Sequence, residues 1–321
     1  MHANKIYKFI GNFLSPAGQN ARLSILIYHR VLAEIDTIFP NEPTVESFDA
    51  HISRLNAVFN VLPLSEAIVR LKNGTLPARA VCITFDDGYA DNVTLALPIL
   101  QKHGLHATFF IATAYLNGGR MFNDTVIESI RYSLDDELDL TSLGLGQHKV
   151  SNPEEKRIAI NKILAKVKYL PLDQREDKVA ELAHRVNNVQ PATKPMMTTA
   201  QLKALHAAGM GIGCHTSRHP ILANLDDLAV FREISEGKEF LETTLKKNIT
   251  LFAYPNGKPV TDYLPRQASL LRELGFDAAV SIQRGVATHS SDLFQLPRFT
   301  PWLKNVNRFI PAVLDNLRHG V

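Results

Sequence analysis

The 321-residue chain is 45% hydrophobic and 21% charged, enough to bury a large core, and a length at which an α/β barrel commonly forms one catalytic domain. A net charge of +3 without any run of basic residues gives no basis for nucleic-acid binding by bulk electrostatics. Two cysteines are too few for a Cys-rich structural zinc site, and no stretch approaches the apolar length of a membrane span.

Taken in chain order, residues 1–22 form an N-terminal segment in which Ile6, Phe9, Ile10 and Phe13 recur at helix intervals beside Lys5 and Lys8. Such a helix can dock on the body of the protein or lie shallowly in a membrane surface as a peripheral contact. The segment lacks the apolar run and small-residue cleavage site of a secretory signal, so a cytoplasmic location is expected, with attachment to the inner membrane face as its variant. From residue 23 onward the strand-like runs LSILIY, AVCITF, ATFFIA, GIGC, TLFAY and DAAVS alternate with helical stretches, as repeated βα units require. Between Asn117 and Lys194 the pattern changes to charged helical segments with few strand signals. Residues 117–194 therefore read as a helical insertion in a barrel domain spanning 23–321. It could select substrate, cover a cleft, contact a partner, or be a solvated helical hairpin. MTTAQLKALHAAG then restarts the barrel, with Thr198 and Gln201 spaced as a capping box.

The chemistry concentrates where strands end. ITFDDGYADN closes a buried-strand run with adjacent carboxylates, Asp86 and Asp87, whose like charges call for a cation, a metal or a shifted pKa. Alone, the pair could equally be an N-cap for the helical stretch that follows. Downstream, GIGCHTSRHP sets His215 and His219 four residues apart beside a strand end. An Asp, His, His set with room for water is the pattern of a catalytic metal site, and its ligand types suit Zn, Co, Ni or Fe. Cys82 and Cys214 read as small buried hydrophobes pointing away from this chemistry.

TFDDG followed by HTSRHP, with FAYPNG from Phe252 to Gly257 as a third element, resembles the motifs of the polysaccharide deacetylases, the NodB-like group called carbohydrate esterase family four. The third element is similar to the variant in deacetylases of poly-N-acetylglucosamine type. The resemblance runs from about Leu23 to Arg298 and implies a distorted seven-stranded (β/α) barrel. It further implies a metal-dependent N-deacetylase of an N-acetylated amino sugar in a polysaccharide, oligosaccharide or lipid-linked glycan. Zinc is the expected metal, with cobalt or nickel as alternatives. By the same resemblance Asp86 matches the general base, while Asp87, His215 and His219 match the metal ligands. The backbone N–H of Tyr254 matches the oxyanion donor.

Two departures stand out. The arginine that often begins the third motif has no match in ITLFAYPNG, and Arg298 in LPRFTP could supply its charge. The usual late Leu-x-His motif is absent, which leaves His29 in ILIYHRV and His289 in GVATHSSD as candidates for the proton donor. His29 is preferred as a site residue, either as acid or as substrate contact. The single Trp302 could serve sugar binding or the core. Two other readings stay open: hydrolysis of a non-sugar amide, and a non-catalytic carbohydrate-binding or assembly protein that keeps its metal.

Overall fold

A computed structural model describes residues 2–186, 194–301 and 305–319; Trp302 lies outside the described residues. In chain order the strands are β1 (Leu23–Tyr28), β2 (Asn60–Val61), β3 (Ala80–Phe85), β4 (Thr108–Ile111), β5 (Glu137–Leu140), β6 (Gly146–Lys149), β7 (Gly211–Cys214), β8 (Leu251–Ala253) and β9 (Ala278–Val280). The helices are α1 (His2–Leu14), α2 (Val45–Val58), α3 (Leu64–Lys72), α4 (Leu97–Lys102), α5 (Phe122–Arg131) and α6 (Pro153–Val167). They continue as α7 (Leu172–Val186), α8 (Thr199–Ala207), α9 (Asp227–Leu245), α10 (Pro265–Glu273) and α11 (Phe309–Asn316).

All strands except β5 and β6 make one seven-stranded sheet with the path β1-β3-β4-β7-β8-β9, and β2 pairs with the foot of β3. Its ladders are parallel. A short run after β9 closes the ring. Leu296 bridges Val280 of β9, and Phe299 bridges Leu26 of β1. The Phe299 N–H donates to Ile25 O (2.8 Å) and the Ile27 N–H to Phe299 O (3.0 Å). The result is the distorted (β/α) barrel that the sequence predicted.

The two-residue period of the strands sorts side chains into two clusters. Leu23, Ile25, Ala80, Cys82, Phe110, Ala253 and Val280 pack together, with Leu64, Ile68 and Leu71 of α3 against them. Leu26, Tyr28, Ile83, Phe85, Phe109 and Phe252 join the second cluster with α2, α8 and α9. There Phe85 stacks on Tyr28 (5.4 Å) and on Phe109 (4.9 Å), pairs that contribute about 0.5–1.5 kcal/mol each beyond their burial. Cys82 belongs to the first cluster, on the strand face that Asp86 continues four residues on, whereas Cys214 belongs to the second; both are free thiols.

The stretch read as a helical insertion with few strand signals carries a β-hairpin as well. β5 and β6 pair antiparallel between α5 and α6. Leu138 and Leu140 alternate with Glu137 and Asp139, and Gly144 turns the chain at φ +72. Those charged alternates hid a strand whose other face is buried with Ile160, Ile163, Val179 and Leu182, in a cluster that also takes Ile38 from the β1–α2 connection. The Thr198–Gln201 capping box starts α8 as expected.

Helix α9 lies close against the loop after β7. A Cβ at Gly237 would stand 2.8 Å from the Thr216 carbonyl carbon and oxygen and 3.0 Å from Cys214 Sγ. Backbone cannot yield as a side-chain tip can. Gly237→Ala is therefore expected to cost about 1–3 kcal/mol by overpacking, read as a lowered thermal midpoint.

Candidate active site

Asp86 directly follows β3 and still keeps its ladder register, its N–H donating to Tyr28 O (3.0 Å). Asp87 then takes φ +76 and Gly88 φ +92. This left-handed turn aims two consecutive carboxylates in different directions, a conformation that costs a non-glycine residue energy. After β7 the His215 N–H continues the ladder to Ile111 O (3.0 Å), and the chain turns again with Thr216 at φ +64 and His219 at φ +53. Thr216 Oγ1 accepts from the His219 N–H (3.1 Å). Buried Glu233 of α9 accepts from the Arg218 N–H and from Arg218 Nε, both at 2.8 Å. The loop that presents the two imidazoles is thus tied to a helix.

Asp87, His215 and His219 converge. Their candidate ligand atoms all lie within 4.8 Å of one another, and all three residues are buried. Asp87 Oδ1 stands 3.5 Å from His215 Nε2 and 3.6 Å from His219 Nε2, and it has no hydrogen-bond partner among the described residues. His215 Nδ1 donates to Ala253 O (2.7 Å), which fixes the tautomer and leaves Nε2 bare toward the cluster. An orphaned buried carboxylate oxygen facing two imidazole nitrogens fits a divalent cation.

Asp86 has a different partner. Arg298 Nη1 and Nη2 donate to its Oδ1 and Oδ2, both at 2.7 Å, and Nη1 also reaches Thr84 Oγ1 (3.2 Å). Arg298 Nε donates to Ser281 O (2.8 Å), and the guanidinium is fully buried. The arginine missing from the third motif is replaced in space by one from the ring-closing run. Asp86 Oδ2 lies 3.9 Å from His215 Nε2, so it borders the cluster without joining it.

Burial pushes the Asp86 carboxyl up, but the charges of Arg298 and then His215 outweigh it and hold the group below the ordinary carboxylate range. Asp87 is held low as well, burial being outweighed by the His215 and His219 imidazoles that face it. The two imidazoles part company. Burial lowers both, yet the Asp86 and Asp87 charges raise His215, whereas burial and the His215 charge push His219 down to about 3.

A cavity of about 290 Å³ opens over these groups. His29, Glu42, Tyr89, Asp124, Asn256 and Ile282 contribute to its wall. His29 follows β1, and its carbonyl accepts from Asn92 Nδ2 (2.9 Å). Asn92 Nδ2 also donates to Asp91 Oδ1 (3.1 Å), while Arg30 Nε donates to Asp91 Oδ2 (2.8 Å). His289 is exposed on a turn and does not line the cavity.

Tyr254 requires a correction. Its N–H donates to Val280 O (3.2 Å), within the β8–β9 ladder, and so is not available as an oxyanion donor. Its hydroxyl donates to Phe294 O (2.9 Å) and its ring stacks on Tyr263 at 3.6 Å. The residue that turns toward the cavity is Asn256, at φ +57. Pro255 ends the strand between them, which is the signal in the sequence that could have moved the assignment two residues on. Asp124 and Glu42 carried no motif. Burial pushes Asp124, which accepts from Tyr89 Oη (3.1 Å), up to about 7, and Glu42 Oε2 is buried without a partner.

Among known proteins, the family model described as polysaccharide deacetylase matches residues 73–141 and 175–279. The putative polysaccharide deacetylase YxkH of Bacillus subtilis (strain 168) is 37% identical over 93 residues, which span 28% of this chain and 32% of that protein. The structure of the deacetylase PplD from Streptococcus pyogenes, in complex with acetate, superposes with a TM-score of 0.61 at 19% identity. That match covers 92% of this chain and 98% of PplD. IcaB from Ammonifex degensii gives a TM-score of 0.57 at 19% identity, covering 95% of this chain and 98% of that one. At these identities the two structures speak for the fold.

Replacing Arg298 with Met leaves Asp86 buried and unpaired, at an expected cost of about 3–5 kcal/mol near neutral pH. Because the paired carboxyl titrates below its unfolded value, its stabilisation is present above the ordinary carboxylate range and lost as pH falls through the depressed one. The gap in unfolding free energy between wild type and variant should therefore shrink on acidification. Denaturant titrations across that range check the sign.

Proposed function

The chain belongs to the polysaccharide deacetylase family, and on that footing we propose that it is a metal-dependent N-deacetylase. Its substrate in this reading is an N-acetylated amino sugar in a polysaccharide, oligosaccharide or lipid-linked glycan. Residues 23–321 are taken as the deacetylase barrel, with 117–194 inserted in it and 1–22 as a separate N-terminal segment. The observation that carries the proposal is the pairing of functions across one turn: Asp87 belongs to a three-ligand cluster while Asp86, locked by Arg298, borders it. A structural metal has no use for an ionised, braced carboxylate beside its ligands.

Asp87, His215 and His219 would hold the ion. A divalent cation there, zinc for preference with cobalt or nickel as alternatives, would polarise the acetyl carbonyl and make water nucleophilic near neutral pH. Asp86 takes the proton of the water whose oxygen attacks the acetyl carbon. Arg298 keeps that carboxylate ionised and fixed in orientation, so no rotamer search precedes the transfer. The main-chain N–H of Asn256, in place of that of Tyr254, donates to the developing oxyanion. As the carbon–nitrogen bond breaks, the leaving nitrogen takes a proton from His29, giving acetate and a free amine. The carbonyl contact to Asn92 sets the backbone from which His29 reaches the cavity.

The first test loads chelator-stripped protein with zinc, cobalt or nickel and follows acetate release from N-acetylglucosamine and N-acetylgalactosamine oligomers. Asp86→Asn should keep full metal content and lose roughly 10²–10⁴ in turnover, whereas Asp87→Ala should lose the metal itself. Metal loss in Asp86→Asn with unchanged turnover would refute these roles.

The two candidate proton donors separate on the same assay. His29→Ala should lower turnover by on the order of 10²-fold, and His289→Ala should leave it unchanged. The reverse order would overturn the choice of His29.

A further inference from the structure

Helix α1 is anchored by one face and bare on another. Tyr7, Ile10 and Leu14 pack against the main core, and Gly11 is buried where a Cβ would come within 2.7 Å of Arg79 Cδ. Ser15, directly after the helix, accepts the Arg79 N–H (3.0 Å). The helix therefore cannot roll to bury its other side. That side carries Ile6, Phe9 and Phe13, which are 58%, 76% and 84% exposed. At 3.6 residues per turn the three fall within about 60° of arc, and the next positions around the cylinder are Lys5, Asn12 and Lys8. All three of those are exposed. The helix contains no acidic residue, and the first one in the chain is Glu34.

We infer that α1 is a docking element for an anionic lipid bilayer, lying in the interfacial plane with Ile6, Phe9 and Phe13 among the acyl chains and Lys5 and Lys8 on the headgroups. The charge pattern selects this occupant over a second copy of the chain. Two such helices laid stripe to stripe would bring their lysine flanks together with no carboxylate on either helix to answer them, whereas anionic headgroups supply the countercharge. The inference is independent of the chemistry assigned to the barrel. It also fixes polarity: Arg79, which α1 grips, precedes β3, and Asp86 follows it, so the strand separates anchor from cavity by roughly 20 Å.

Flotation of the full chain with vesicles tests this, using phosphatidylglycerol mixed into phosphatidylcholine against phosphatidylcholine alone. Wild type should float with the anionic vesicles at about 0.1 M salt and be released as salt is raised. Phe9→Glu/Phe13→Glu and, separately, Lys5→Glu/Lys8→Glu should each cut recovery roughly tenfold or more with unchanged thermal midpoints, since all four side chains are exposed. No flotation of wild type, or equal flotation of wild type and both variants, would overturn the inference. So would sedimentation showing a wild-type dimer that the phenylalanine substitutions dissociate in the absence of any vesicle binding.

Discussion

The interaction on which the rest of the site depends is the buried ion pair between Asp86 and Arg298. A carboxylate taken out of water at the end of β3 is tolerable only with a partner that matches both its oxygens, and the bidentate guanidinium does so. The partner comes from residues 296–299, the run that joins β9 to β1. Closing the barrel and holding Asp86 ionised are therefore one event. Thr84, two residues before Asp86, ties the two together: its hydroxyl donates to Leu26 O on the neighbouring strand and accepts from Arg298. A barrel left open at that seam would keep Asp87, His215 and His219 and leave Asp86 unpaired.

The cluster itself has an internal logic of charge. The Asp86 and Asp87 charges favour a proton on His215, while burial and the His215 charge hold His219 neutral beside it. The neutral imidazole of His219 is thus ready as a ligand, whereas a divalent cation would have to displace the proton that the two carboxylates favour on His215.

Legibility in the sequence followed the range of the interaction. Asp87, His215 and His219 could be read because each lies within a few residues of a strand end, and strand ends with their turns are local features. Arg298 could only be named as a candidate, since its meaning depends on a contact 212 residues away in the chain that exists once the ring is closed. Tyr254 was misassigned for a related reason. Whether an amide at the end of β8 faces the cavity or the ladder is decided by its register with β9, and three-residue strands carry too little pattern to give that register. The hairpin of β5 and β6 escaped because its buried alternation is only two leucines deep between charges. Glu42 and Asp124 reach the cavity from a connection and an inserted helix, and nothing in their neighbourhoods marks them.

The left-handed turns at the site have a consequence for how such proteins drift. Asp87, Thr216 and His219 hold φ values of +76, +64 and +53, conformations that glycine or asparagine adopts more cheaply. On the proposed function, selection for turnover would keep costly residues at these corners. In a lineage where that selection lapses, replacing them relaxes the backbone while the barrel, whose core lies elsewhere, is untouched. Descendants without the proposed activity should thus persist as stable proteins, with glycine accumulating first at the positions of Asp87, Thr216 and His219.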